Sequence, residues 1–294
     1  MTMPNKTPAV VVGISTYNRA DVLRKSIQSA LDQSHRPLRV AVVDDASADA
    51  TPSLRPEFPT VSWERFATNQ GYVRARNKMM LSAPEDYYVS LDDDAWFLAT
   101  DEIALAVDYL ESHPKVAAVA FDILSPDRPD ANSRGKKTLV ALFIGCGHVL
   151  RLSLVKRLGG YGQFPGSYGV EEADLCLRLI DAGYEIVRLQ GVHVWHDKSM
   201  IARDTEGQLR SNVCNDLTLT IWRYPNELVL QVLAWKIVSN LLFAIRRKRV
   251  RASLLGIRDF ARSCQAAWRS RFPVRRASIV RFRSLNKVPV EVLE

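Results

Sequence analysis

Short apolar runs alternate with helix-like periodicities through the first half of the chain. Ala9–Ser15 (AVVVGIS) is continuous and β-rich, the pattern of a strand buried on both faces. Beyond Asp21, the residues Leu23, Ile27, Ala30 and Leu31 fall on one face of a helix, with Asp21 as a candidate cap. Leu38–Val43, Val61–Phe66, Tyr87–Leu91 and Val116–Phe121 read as further strands. Gly71–Ala83 and Asp101–His113 read as helices, the second stopped by Pro114. Farther on, Glu171–Ala182 places Leu175, Leu179 and Ala182 on one helical face, and Val192–Trp195 is strand-like. Ser125–Lys137 is polar and reads as a surface loop. Gly159–Gly169 carries five glycines and a proline and reads either as a mobile lid or as a simple connector. Strands alternating with helices predict an α/β fold built on a mostly parallel, doubly wound sheet.

In such sheets ligands bind outside the carboxyl ends of the strands. Three polar clusters fall there: Thr16-Tyr17-Asn18-Arg19, Asp44-Asp45 and Asp92-Asp93-Asp94. In extended backbone, residues two apart point the same way and lie roughly 6.5–7 Å apart. Asp92 and Asp94 are therefore expected to face one site, with Asp93 turned elsewhere. Clustered carboxylates repel unless a cation sits among them. Mg²⁺ or Mn²⁺, bound through carboxylates and substrate phosphates, is the ion this chemistry suits. The plainer alternative is a solvated acidic turn at a strand end.

Further pieces follow in order: Asn69-Gln70-Gly71 with Arg74, Arg76 and Asn77, then Gly145-Cys146-Gly147, Gly159-Gly160-Tyr161, Glu171-Glu172-Ala173-Asp174-Leu175 and His196. With Ser15–Arg19, Val43–Ser47 and the D-x-D spacing of Leu91–Asp94, the set resembles an inverting, nucleotide-sugar-dependent glycosyltransferase of family 2 with the GT-A fold. The resemblance covers about residues 9–200. It implies a GT-A domain over 1–221, with a nucleotide-binding half at about 9–122 and an acceptor half at about 138–200. A helical, basic region would follow over 222–294.

The resemblance also implies roles. Thr16, Tyr17, Asn18 and Arg19 would line the nucleotide pocket, where backbone N–H groups at a strand-to-helix turn suit polar ligand edges. Asp44 would accept a hydrogen bond from a pyrimidine ring N–H, with Asp45 as the alternative. Asn69 and Gly71 would flank the donor. Arg76 would reach a phosphate or the base, unless it is a surface arginine. Asp92 and Asp93 would contact the ribose, and Asp94, with Asp92 and His196, would hold the metal. His193 should point to the opposite face from His196. Glu172 takes the place of the catalytic base, where the family usually has Asp, and Glu171 could share the role. Asp174 reads as a structural partner. Acidic enrichment in a first helical turn is the plainer account of this run.

The implied reaction moves a sugar from a UDP- or dTDP-type donor to a hydroxyl of a glycan or lipid-linked acceptor, in surface polysaccharide synthesis. Two rivals remain. A sugar-phosphate nucleotidyltransferase could share the fold and metal, but a Gly-rich triphosphate loop is lacking. A sugar-nucleotide or membrane-binding module without chemistry would fit the Glu172 departure.

Charge separates the tail from the rest. The net charge is +8, yet from Trp222 onward there are 16 basic and 4 acidic residues. Leu228–Ile245 is strongly apolar and runs into Arg246-Arg247-Lys248-Arg249-Val250-Arg251. It reads either as an interfacial helix on an anionic leaflet or as a core helix closing the acceptor side, with solvated arginines. Gln231, Lys236 and Asn240 interrupt it, so a membrane span is not expected. Nor is a nucleic acid partner, for want of a stacking pattern or binding motif. The apolar content of 47% allows a full-sized core. Cys146, Cys176, Cys214 and Cys264 are too widely spaced for a zinc site and suit reduced thiols in the cytoplasm. Met1–Pro8 has no signal-peptide pattern. These readings place the protein in the cytoplasm, or peripherally on the inner face of the cell membrane.

Overall fold

The computed structural model describes residues 7–129, 137–199, 201 and 204–292. The elements run β1 (Val10–Thr16), α1 (Ala20–Leu31), β2 (Leu38–Asp44), a 3-10 turn (Thr51–Glu57), β3 (Ser62–Arg65), α2 (Tyr72–Ser82), β4 (Tyr87–Asp92), β5 (Ala95–Phe97), α3 (Glu102–Ser112) and β6 (Val116–Leu124). They continue with β7 (Thr138–Leu139), β8 (Gly147–Arg151), α4 (Leu152–Leu158), α5 (Glu171–Asp181), β9 (Glu185–His196), α6 (Thr205–Arg223), α7 (Asn226–Arg246), α8 (Val250–Arg269), α9 (Arg276–Lys287) and β10 (Val290–Glu291). Of the expected loop Ser125–Lys137, positions 130–136 lie outside the described residues.

One sheet orders the strands β10-β7-β9-β6-β8-β4-β1-β2-β3, with β5 paired to β9. β3, β2, β1 and β4 are mutually parallel, as the continuous apolar runs of β1, β2 and β4 predict. β8 then enters antiparallel between β4 and β6, and β9 returns parallel to β6. The sequence reading did not foresee β8, β5 or β7. They are two to five residues long and lack a strand-like run of their own.

Alternation within β1 divides the core. Val10, Val12 and Ile14 pack with α1 and α3 residues such as Leu23, Ile27, Ile103 and Leu110. Val11 packs on the other face with Met79 and Met80 of α2 and Leu175 and Leu179 of α5. Both faces are covered, so the strand needs no polar side. Gly13 is small for a reason: a Cβ there would lie 2.4 Å from the buried ring of Tyr88.

Asp21 does not cap α1. The helix begins at Ala20, whose N–H donates to Asp49 Oδ2 at 3.1 Å, and Asp21 sits inside its first turn.

The helical region begins at Thr205, so the expected boundary at 221 falls in the last turn of α6. Val213, Leu217 and Ile221 of α6 share a third core with Leu177 of α5, Val229 and Val232 of α7, Phe260 of α8 and Ile279 of α9. Arg223 Nε meets Asp174 Oδ1 at 2.5 Å, and Ser278 Oγ donates to Asp181 Oδ1 at 2.6 Å. These helices are thus bolted to α5 and through it to the sheet. α7 is not a core helix, because only Val229, Val232 and Ala244 of it are buried.

Candidate active site

The site forms where β1, β2 and β4 end. β4 stops at Asp92, and the chain turns at Asp93-Asp94 into β5. The expected two-residue alternation therefore does not hold, because it presumed extended backbone through Asp94. Arg19 Nη1 instead bridges Asp93 at 2.8 Å and Asp94 at 3.1 Å, while Asp92 pairs with Arg76. Burial pushes the Asp93 carboxyl up to about 6 against the pull of Arg19, with Asp94 adding to the rise. Asp94 is wholly buried and also accepts from the Ser199 N–H at 2.9 Å. β5 pairs antiparallel to β9 with Ala95 opposite His196, and this register delivers His196 Nε2 to 3.2 Å from Asp94 Oδ1.

Atoms of Asp92, Cys146 and His196 lie within 4.8 Å of one another. Two carboxylates and an imidazole, from Asp92, Asp94 and His196, make a donor set that fits Mn²⁺ or Mg²⁺. Cys146 fits less well. Burial, reinforced by Asp92, raises its thiol well above the ordinary range, and a protonated thiol is no ligand for a hard cation.

The nucleotide-side residues divide into anchors and open groups. Asn18 adopts φ 54° and ties two turns together. Its N–H donates to Ser47 Oγ at 2.8 Å and its Oδ1 accepts from the Ala48 N–H at 2.7 Å. Asp45 accepts from the N–H groups of Gln70 and Gly71, both at 2.7 Å, and so sets the Asn69–Gly71 loop. Gly71, the residue before α2, has φ 88°, a conformation side chains disfavour although the space is open. Asp44 is buried. Its Oδ1 accepts from the Ser47 N–H at 2.8 Å, and its Oδ2, without a hydrogen bond among the described residues, lies 3.3 Å from Arg65 Nε. The Thr16 hydroxyl is buried without a hydrogen-bond partner among the described residues. Tyr17 and Asn69 are exposed. Arg74 is also exposed and donates to Gln163 Oε1 at 3.3 Å.

Arg76 is buried, not a surface arginine. Besides Asp92, its Nη1 lies 3.6 Å from Glu172 Oε1 and 3.9 Å from Glu171 Oε1. One guanidinium therefore joins the aspartate cluster to the acidic start of α5. Glu171 is buried and accepts from the Tyr72 hydroxyl at 2.5 Å. The Glu172 side chain is 21% exposed, and burial together with Glu171 raises its carboxyl well above the ordinary range, against Arg76. Gly145 faces the pair, since a Cβ there would lie 2.5 Å from Glu172 Oε1. Asp174 serves structure: it pairs with Arg178 at 2.6 Å and with Arg223.

A cavity of about 470 Å³ opens beside Glu171, between residues 68–74 and the glycine-rich segment 162–169. Asn215 of α6 grips that segment. It accepts from the Gly166 N–H at 2.7 Å and donates to the carbonyls of Gly166 and Tyr168, each at 3.0 Å. Neither Asn215 nor Tyr72 was singled out from the sequence. Tyr72 adjoins Gly71 and had a local signal, whereas Asn215 is 46 residues from Gly169 and had none.

A largely parallel sheet with paired acidic clusters at its strand ends defines the class, a GT-A-type sugar-transferase fold. The family model for glycosyl transferase family 2 matches residues 11–157. The chain belongs to that family and carries its glycosyltransferase domain. It is 27% identical to the glycosyltransferase EpsE of Bacillus subtilis over 203 residues, 63% of this chain and 72% of that protein. It is 38% identical to the succinoglycan biosynthesis protein ExoO of Rhizobium meliloti over 92 residues, 31% of this chain and 26% of ExoO. The matched stretch is thus only a quarter of ExoO, and a third of the Bacillus subtilis relative EpsH. Among solved structures, the mannosyltransferase PcManGT from Pyrobaculum calidifontis, in complex with GDP-Man and Mn²⁺, has a TM-score of 0.60 at 17% identity. The match covers 96% of this chain and 84% of that one, a likeness of fold.

Proposed function

We propose that the protein transfers a sugar, with inversion, from a UDP- or dTDP-sugar to a hydroxyl of a glycan or lipid-linked acceptor in surface polysaccharide synthesis. The observation that carries this reading is Arg76, which spans from Asp92 to Glu172 and so joins a metal-type acidic cluster to a carboxylate placed to act as a base. Glu172 takes the proton of the acceptor hydroxyl. The hydroxyl oxygen bonds to the anomeric carbon as the bond from that carbon to the phosphate oxygen breaks on the opposite face. Glu171, already hydrogen-bonded to Tyr72, keeps Glu172 from ionising early rather than acting itself. Asp94, Asp92 and His196 would hold Mn²⁺ or Mg²⁺, which supplies positive charge for the departing diphosphate. Asp44, a buried aspartate whose Oδ2 has no hydrogen bond among the described residues and only Arg65 Nε near it, receives the base, while Asp45 keeps its loop in place. Tyr17, Asn69 and the turn at Thr16–Arg19 border the donor. The names of relatives such as ExoO support the polysaccharide setting. A lipid-linked or growing polymer acceptor would place the reaction on the cytoplasmic face of the membrane.

Calorimetric titration with UDP, dTDP and GDP, each with and without Mn²⁺, tests the donor half. Binding of one diphosphate that needs Mn²⁺ and vanishes in Asp94→Ala is expected. Glu172→Gln should bind that diphosphate normally while turnover falls about 10²–10⁴-fold. A variant that kept full turnover would remove Glu172 from the reaction.

A further inference from the structure

We propose that the outer face of α7 and the basic turn after it form a docking surface for an anionic lipid bilayer, along which α7 lies rather than crosses. This rests on the membrane setting of the proposed function but uses none of its active-site residues. A surface helix normally turns its apolar stripe inward and its polar stripe to water. α7 is apolar on both. Its inner stripe buries Val229, Val232 and Ala244, the first two in the core shared with the other helices. Its outer stripe exposes Leu230 (73%), Trp235 (64%), Val238, Leu242, Phe243 and Ile245. Trp235, Val238, Leu242 and Ile245 recur at helical spacing along one side, with exposed Gln231 the polar residue among them, and water is a poor partner for such an apolar stripe.

The charge next to this line selects the partner. Arg246, Arg247, Lys248 and Arg251 are exposed, and among the described residues none has an acidic partner. Arg249 reaches only Glu206, at 3.8 Å. An apolar stripe with tryptophan beside a cationic cluster is the composition of a helix seated at the headgroup level of an anionic leaflet. α7 is long and apolar enough to cross a membrane by those criteria alone. Its inner stripe argues against crossing. Lys236, at its middle, is ion-paired with Asp216 of α6 at 2.5 Å. To cross, α7 would have to strip off α6 and α8 or drag their arginines into hydrocarbon.

Co-sedimentation of the full-length protein with vesicles tests this. Vesicles of phosphatidylcholine with about a third phosphatidylglycerol should carry the protein down, and those of phosphatidylcholine alone should not. Arg246→Glu/Arg247→Glu/Lys248→Glu/Arg251→Glu should weaken the partition on the order of a hundredfold or more. Trp235→Ser/Leu242→Ser should weaken it as well, with circular dichroism and UDP binding unchanged. No association with the anionic vesicles at low salt would overturn the proposal. So would a concentration-dependent dimer in light scattering that the Trp235→Ser/Leu242→Ser variant abolishes, since that assigns the face to a second copy. Vesicle binding is read without donor or acceptor, so its failure is distinct from a failure of the transferase reading, which the diphosphate titration reports.

Discussion

At the carboxyl ends of β1, β2 and β4, every acidic side chain of the Asp92–Asp94 cluster is met by a guanidinium from within the protein. Around the turn between α7 and α8, Arg246, Arg247, Lys248 and Arg251 are exposed, with no carboxylate paired to them among the described residues. Both regions are dense in like charge. The difference is burial. A buried charge left uncompensated costs several kcal/mol, so the first cluster exists only because Arg19 and Arg76 were brought to it. An exposed cluster costs little and remains available to a partner. The acidic cluster is therefore part of the fold as well as of the site, and the basic cluster is only on it.

The largest expected effect breaks the buried side of this comparison. Arg76→Met leaves Asp92, Glu171 and Glu172 without their shared cation and should cost about 3–5 kcal/mol in urea unfolding, with turnover abolished. A loss below about 1 kcal/mol would mean that these acids do not depend on Arg76.

The next test concerns the point where the helical region enters the site. Asn215→Ala removes the grip of α6 on Gly166–Gly169 and should cost about 1–3 kcal/mol. Hydrogen exchange at the amides of 166–169 should quicken, and the acceptor KM should rise more than kcat falls. Unchanged exchange there would show that the segment holds its shape without α6.

pH sharpens the same contrast through Glu172. Its carboxyl is raised in the folded protein, so between the ordinary carboxylate value and the raised one the folded state binds more protons than the unfolded. This contribution to stability is present at low pH and is lost as pH rises through that window. Turnover should move the opposite way, rising with pH as Glu172 ionises. Glu172→Gln should flatten both limbs, and a turnover profile that fell with pH would exclude Glu172 as a base.

The smallest effect belongs to the exposed side. Arg247→Gln should change unfolding free energy by no more than about 0.5 kcal/mol, measured in the same urea titration. A larger loss would show that the basic turn contributes to the fold after all.

What was legible in the chain follows from the range of the interactions involved. β1, β2, β4, α1 and α5 announce themselves because burial on one or both faces imprints a period of two, a period of 3.6 or a continuous apolar run. β8, β5 and β7 carry no such imprint. They are short, and neighbours distant in the chain supply their pairing. The acidic and basic residues of the candidate site could be named one by one from motifs, yet their partners could not. Alternation along a strand suggested that Asp92 and Asp94 face one site with Asp93 apart; both do lie near His196, but the chain turns after Asp92, and Arg19 takes Asp93 and Asp94 as its pair.

By itself, the sequence determined the parallel half of the sheet, the order of polar clusters at its strand ends, and the uneven spread of charge along the chain, because each depends on residues close together. The tertiary structure decided which carboxylate meets which arginine and that Asn215 holds a loop 46 residues before it. It placed His196 beside Asp94 through the β5–β9 register, and it turned half of an apolar helix to water. Those outcomes depend on contacts between segments far apart in the chain, and no local pattern encodes the register or the packing angle at which such segments meet.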